Sequence, residues 1–345
     1  MSARAVALWA LGLVCGTLAA QPAAALNAAN IAIVINTADP LSVQIGEYYA
    51  RRRGVPQQNI RRISFGTNRA IMPADEFARL KAQVDAQLPA GVQAYALTWV
   101  NPYRVECMSM TSAFAFGFDE NYCAQGCRTT QLSRYYDSDT RRPYDDLRIR
   151  PAMSIAALSF ADAKALIDRG IRADGTAPRG TAYLVSTGDT ARDVRIENYG
   201  DVLMLAANRM AVQIADVKAL EHRDDVMFYF IGASQVAALN TNRFLPGAVA
   251  DHLTSTGGVL TGGGQMSSLR WLEAGATGSY GTVVEPCNFT TKFPNPALLL
   301  RHYLAGETLI ESYWKSVAMP GQGIFIGEPL ARPYGAPQQQ MGASR

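Results

Sequence analysis

The chain has 345 residues, 48% hydrophobic and 18% charged, which excludes an intrinsically disordered protein and suffices for one large α/β domain or two small ones. Its 32 basic and 29 acidic residues give a formal net charge of +3, too even for an electrostatic nucleic-acid binder. Three histidines leave little scope for a histidine-rich metal centre, and neither a metal nor a cofactor is expected.

In chain order, the first element is an address. Arg4 precedes an apolar run at 5–14, and Ala23-Ala-Ala25 places small residues where a signal peptidase reads them. Residues 1–25 are read as a secretory signal peptide cleaved after Ala25, so the protein is expected in the periplasm or outside the cell. Cys15 is read as an apolar signal residue, because Gly12-Leu-Val14 is a poor lipobox. No later run approaches the ~20 apolar residues of a membrane span.

Residues 26–334 are read as a single α/β domain. The β-branched run at 31–35 predicts a strand buried on both faces. Asp39 and Pro40 then open a helix that Gly54 closes. A strand at 60–65, a helix from Pro73 and a strand at 94–100 continue the alternation. Residues 101–150 break it and are read as a disulfide-pinned insertion with a short hairpin. Alternation resumes with a strand at 153–158, a helix at 161–170, a strand at 181–185, a helix at 202–212 and a strand at 226–231. A helix at 246–253, a strand at 258–260, a helix at 269–274 and a strand at 278–284 follow. Helices capped by Asn295 and running over 309–317 complete the fold, and residues 335–345 form a disordered tail. The expected fold class is α/β: a three-layer sandwich, with a mostly parallel sheet and helices on both faces.

Secretion changes what the cysteines mean. Cys107, Cys123, Cys127 and Cys287 are disulfide candidates, an even number in an oxidising compartment. Cys107 or Cys127 can bridge Cys123 within the insertion, and the pairing stays open. A four-thiolate zinc site is the alternative. Cys287, with Glu285 two residues away, is the weak candidate for a catalytic nucleophile if His222, His252 or His302 supplies a base.

Each of three segments follows a predicted strand and combines a small residue with a polar one: Gly232-Ala-Ser-Gln235, Gly262-Gly-Gly-Gln265 and Glu285-Pro-Cys287. Parallel strands carry such ends to one edge of the sheet. A binding site is therefore expected there, on Ser234, Gln235, Gly263, Gln265 and Glu285. The glycine loop itself lacks the P-loop and dinucleotide spacings. Asp119, Glu120, Asp189 and Glu328 lie at other loop tips and are candidate acids, bases or cation ligands. Arg51-Arg-Arg53 reads as a solvated helix end.

Three further segments occur together: Pro246-Gly-Ala-Val-Ala-Asp-His-Leu253, Gly275-Ala-Thr-Gly-Ser-Tyr-Gly-Thr-Val-Val-Glu-Pro286 and Gly327-Glu-Pro-Leu-Ala-Arg-Pro-Tyr334. As a set, with Tyr103-Arg104, they resemble a secreted bacterial family found with the exosortase/PEP-CTERM sorting system. Asn101 and Glu328 depart from it, standing where Gly and Asp are usual. That family has no established activity, so the resemblance implies a context: an accessory or binding protein whose partner is an extracellular polysaccharide or a sorted surface protein. A remoter likeness is to caspase- and gingipain-like peptidases. In those folds a strand ends at a His-Gly pair and a later one at the nucleophilic Cys. Here Ile231-Gly232 supplies no histidine and the run at 258–262 no cysteine, so the likeness implies the fold without its dyad.

Overall fold

The computed structural model describes residues 26–124 and 126–336. The expected signal segment with Cys15, and residues 337–345 of the expected tail, lie outside the described residues. Among the described residues, thirteen strands and nine α-helices are formed. The first third holds β1 (Ile31–Asn36), α1 (Pro40–Arg53), β2 (Ile60–Ile63), β3 (Ile71–Met72), α2 (Ala74–Asp85) and β4 (Ala94–Leu97). Next come β5 (Arg104–Val105), β6 (Met108–Ser109), α3 (Met110–Phe116), α4 (Pro143–Leu147), β7 (Ala152–Ser154) and α5 (Phe160–Ala173). The second half holds β8 (Thr181–Ser186), α6 (Tyr199–Ala206), β9 (Ala211–Asp216), β10 (Val226–Gly232) and β11 (Phe244–Leu253). It closes with α7 (Leu269–Ala274), β12 (Gly278–Thr282), α8 (Pro296–Leu304), α9 (Leu309–Lys315) and β13 (Gly323–Gly327).

Ten strands form one sheet in the order β2-β1-β4-β7-β13-β12-β11-β10-β8-β9. Pairing is parallel within β2-β1-β4-β7 and within β12-β11-β10-β8-β9. The last strand, β13, runs antiparallel to β12 and meets β7 at a single bridge, Ser154 to Ile326. Alternation along β1 shows why helices cover both faces. Ile31, Ile33 and Ile35 join the core that takes Ile45 and Tyr49 of α1 and Leu166 of α5. Ala32 and Val34 join a second core with Phe77 of α2 and Phe114 of α3. The expected fold class is the one observed: α/β, with a large, mostly parallel sheet between helical layers.

Local readings failed where an apolar run carried no period. The helix expected at 246–253 is strand β11, inside the sheet between β12 and β10. Pro246 reads as a helix start, but the register of β11 on β10 slips between Val226–Phe244 and Phe228–Val249, and a bulge tolerates the missing proline N–H. The helix expected at 202–212 ends at Ala206, because Asn208 takes a left-handed φ of 65°, residues 207–210 turn, and 211–212 begin β9. The strand expected at 258–260 is a turn, with Gly258 N–H donating to Thr282 O at 2.9 Å. The segment after Asn101 begins inside the core: β5 and β6 make an antiparallel hairpin, and α3 packs on β7 and β13.

Two disulfides tie this segment down, Cys107–Cys123 and Cys127–Cys287. The four sulfurs are bonded in pairs, which overturns the zinc alternative. Arg53 is buried rather than solvated. Its guanidinium grips the Glu328 carboxylate with both arms and also reaches Asp174, and this pairing raises the Arg53 pKa against the opposing effect of its burial. No helix of the described residues is long and apolar enough to cross a membrane.

Candidate functional site

Loops from five strands converge at one edge of the sheet. Asn36 ends β1, and its side chain exchanges two hydrogen bonds with the Phe65 backbone, at 2.9 and 3.1 Å. Asn101, beyond β4, donates to Thr261 Oγ1 at 3.1 Å. Leu158, beyond β7, stands half-exposed and lines two neighbouring hollows. The smaller, about 160 Å³, reaches to Asp39, Trp99 and Asn101. The larger, about 750 Å³, is walled by the segments after β10 and β11 and by Arg270 and Glu273 of α7. Both are lined in part by Leu158 and Thr261.

Two of the three expected segments meet here. Met266 N–H donates to Ser234 O at 2.9 Å, and the Gln235 amide to Gly264 O at 3.3 Å. Gln235, Gly263 and Gln265 line the larger hollow. Gln265 is a brace as well as a wall: its Oε1 accepts from Thr254 Oγ1, Thr256 N and Thr256 Oγ1 at 2.7–3.0 Å. Thr254 also accepts from Arg192, whose guanidinium pairs with Asp189 at 2.7 Å. The last residue of β10, Gly232, has room only for a hydrogen, because the Arg192 carbonyl oxygen lies 2.3 Å from where a Cβ would sit.

The third segment does not line the cleft. Glu285 turns back on its own loop, accepting from Cys287 N–H at 2.7 Å, and its carbonyl accepts from Gln322 at 2.9 Å. Cys287, a disulfide candidate, is bonded to Cys127, so the weak nucleophile candidate carries no thiol while the bridge stands. Nor do the histidines supply a base to the cleft. His252 is buried on β11: its Nδ1 accepts from the Trp271 indole at 2.9 Å, which leaves Nε2 to donate to Met266 O at 3.0 Å. Burial lowers its pKa to about 4, so the ring is neutral. His302 is buried between Glu307 and Asp137, and His222 is exposed in a turn.

Of the loop-tip acids, Asp119 accepts from Asn121 N–H, Asp189 pairs with Arg192, and Glu328 is buried against Arg53. Asn240, Arg270 and Glu273 are cleft residues that the sequence reading passed over. Arg270 and Glu273 form an i,i+3 ion pair immediately after the glycine loop, and that proximity was the available signal. A second cavity, about 920 Å³, lies beside the Cys107–Cys123 bridge and is lined by charges of both signs, Arg104, Glu106, Glu120 and Arg128 among them.

No family model and no curated protein matches the chain. Among solved structures it is similar to the Arg-specific cysteine proteinase gingipain R (RgpB), at 9% identity over 90% of this chain and 80% of that one, with a TM-score of 0.48. It is likewise similar to the complex of the pro- and mature domains of Porphyromonas gingivalis RgpB, at 8% identity over 88% and 79%, with a TM-score of 0.47. At these values no residue's role carries across.

Proposed function

We infer that the protein is a secreted, non-peptidase binding protein serving an exosortase-linked surface system, and that it holds its partner in the cleft at the strand ends. The supporting observation is the cleft's chemistry. Its walls offer amides and hydroxyls from Gln235, Asn240, Thr261 and Ser267 beside aliphatic Leu158 and Leu239, a composition that suits recognition of a polar ligand. No cysteine or histidine is among the described residues lining it. An extracellular polysaccharide and a processed surface protein are the two partner classes this context implies.

The test is binding of the purified protein to preparations of each class, with peptide-bond hydrolysis assayed alongside. Asn240→Ala and Gln235→Ala each remove a side chain that faces the cleft, and each is expected to weaken binding roughly three- to tenfold, the worth of one hydrogen bond. Glu285→Ala, outside the cleft, leaves binding unchanged. Hydrolysis that appears on reduction and disappears in Cys287→Ser would overturn the reading.

A further inference from the structure

Beyond the cleft, the far edge of the sheet carries an apolar surface with no partner among the described residues. Helix α6 has one charged residue, Asp201, and buries only Tyr199, Val202 and Ala206. Leu203, Met204 and Leu205 are exposed, Met204 to 71%. Beside them runs β9, the last strand of the sheet, with Ile214 exposed. A helix apolar on nearly every side is normally buried, and an open edge strand invites another strand.

The hydrogen-bond parity of β9 restricts what can dock. Val217 N–H donates to Ser186 O on β8, and the parallel register pairs Ser186 with Asp216. Odd-numbered amides therefore face β8, and those of Val212, Ile214 and Asp216 face outward. An antiparallel copy of the same strand must pair even residues with even. With a two-fold axis at Gln213, Val212 lies opposite Ile214 twice, a favourable cross-strand pair. The same axis brings Asp216 of each copy to the Met210–Arg209 end of the other. Lys218, exposed just past the strand, reaches back to the end of β8 and donates to the Thr187 carbonyl, and Arg209 donates to the Leu304 carbonyl.

We propose that β9 and α6 form a self-association surface: two copies of this chain pair antiparallel through β9, with an axis at Gln213, and cover each other's α6. Such an interface is isologous and closes at two copies.

Sedimentation velocity on the purified protein from micromolar to sub-millimolar concentration tests this, together with mild oxidation of Gln213→Cys. At a non-hydrogen-bonded antiparallel pair the Cα atoms lie about 4.5 Å apart, within the range a disulfide spans. A concentration-dependent dimer is expected, with Gln213→Cys crosslinking and Asp201→Cys not. Ile214→Lys and Met204→Glu, both at exposed positions, should weaken the dimer at least about tenfold without changing the circular dichroism spectrum. A monomer throughout with no Gln213→Cys crosslink overturns the proposal. So does an equal crosslink at Asp201→Cys, or a monomer that instead adsorbs to anionic lipid vesicles through α6.

Discussion

His252 illustrates how environment decides a residue's role. Between the Trp271 indole and the Met266 carbonyl both ring nitrogens are used, and the surrounding core disfavours the charged form. The folded pKa of about 4 lies below the ordinary 6.5, so between these values the unfolded chain binds a proton that the folded chain refuses. This stability is therefore complete above about pH 6.5 and is lost as pH falls towards 4, about 3 kcal/mol in all. Urea unfolding at stepped pH should show that slope in the wild type, and His252→Gln should lack it. Arg53 teaches the same lesson with the opposite charge. Its neighbours in sequence suggest a solvated helix end, but Glu328 and Asp174, distant in sequence, pair it in the interior.

At the scale of elements, two covalent ties position the segment between Asn101 and Arg150. Cys107–Cys123 closes a short loop with a sequence separation of 16, whereas Cys127–Cys287 joins residues 160 apart. In the chain-entropy account a longer loop constrains the unfolded state more. The paired substitution Cys127→Ser with Cys287→Ser is accordingly expected to cost about 4–5 kcal/mol, and Cys107→Ser with Cys123→Ser about 3 kcal/mol. Urea midpoints of the two variants check the order. Equal losses would mean that the long bridge joins parts already held together in the unfolded chain. Thiol labelling of the native protein should find no reactive Cys287 in either the wild type or the Cys107/Cys123 variant.

The whole molecule depends on its last strand. Sheet order places β13 between β7 and β12, joining four strands from the first half of the chain to five from the second. Its five residues are fully buried, and Phe325 stacks on Trp314 at 4.4 Å. A chain ending at Met319 should therefore lose cooperative unfolding in both halves, not only at its terminus. Hydrogen exchange would report this as lost protection in β1 and β10 together. Persisting protection in either half would show that half to be an independent unit.

The strand–helix alternation, the capped helices at Asp39 and Asn295, the α/β class and the two segments that meet at the cleft are legible in the order of residues alone. These are local signals: a capping side chain, a proline in the first turn or an apolar period acts within a few residues. Only long-range contacts settle that 246–253 is a strand, that a five-residue glycine-bounded run joins the two halves of the sheet, and that Glu285 and Cys287 belong to a disulfide turn. In each case the deciding partner lies far along the chain. A run of small apolar residues with no period can pack as helix or strand, and only the neighbour that buries it selects one. A cysteine near a strand end becomes half of a bridge only when folding brings the second sulfur within reach.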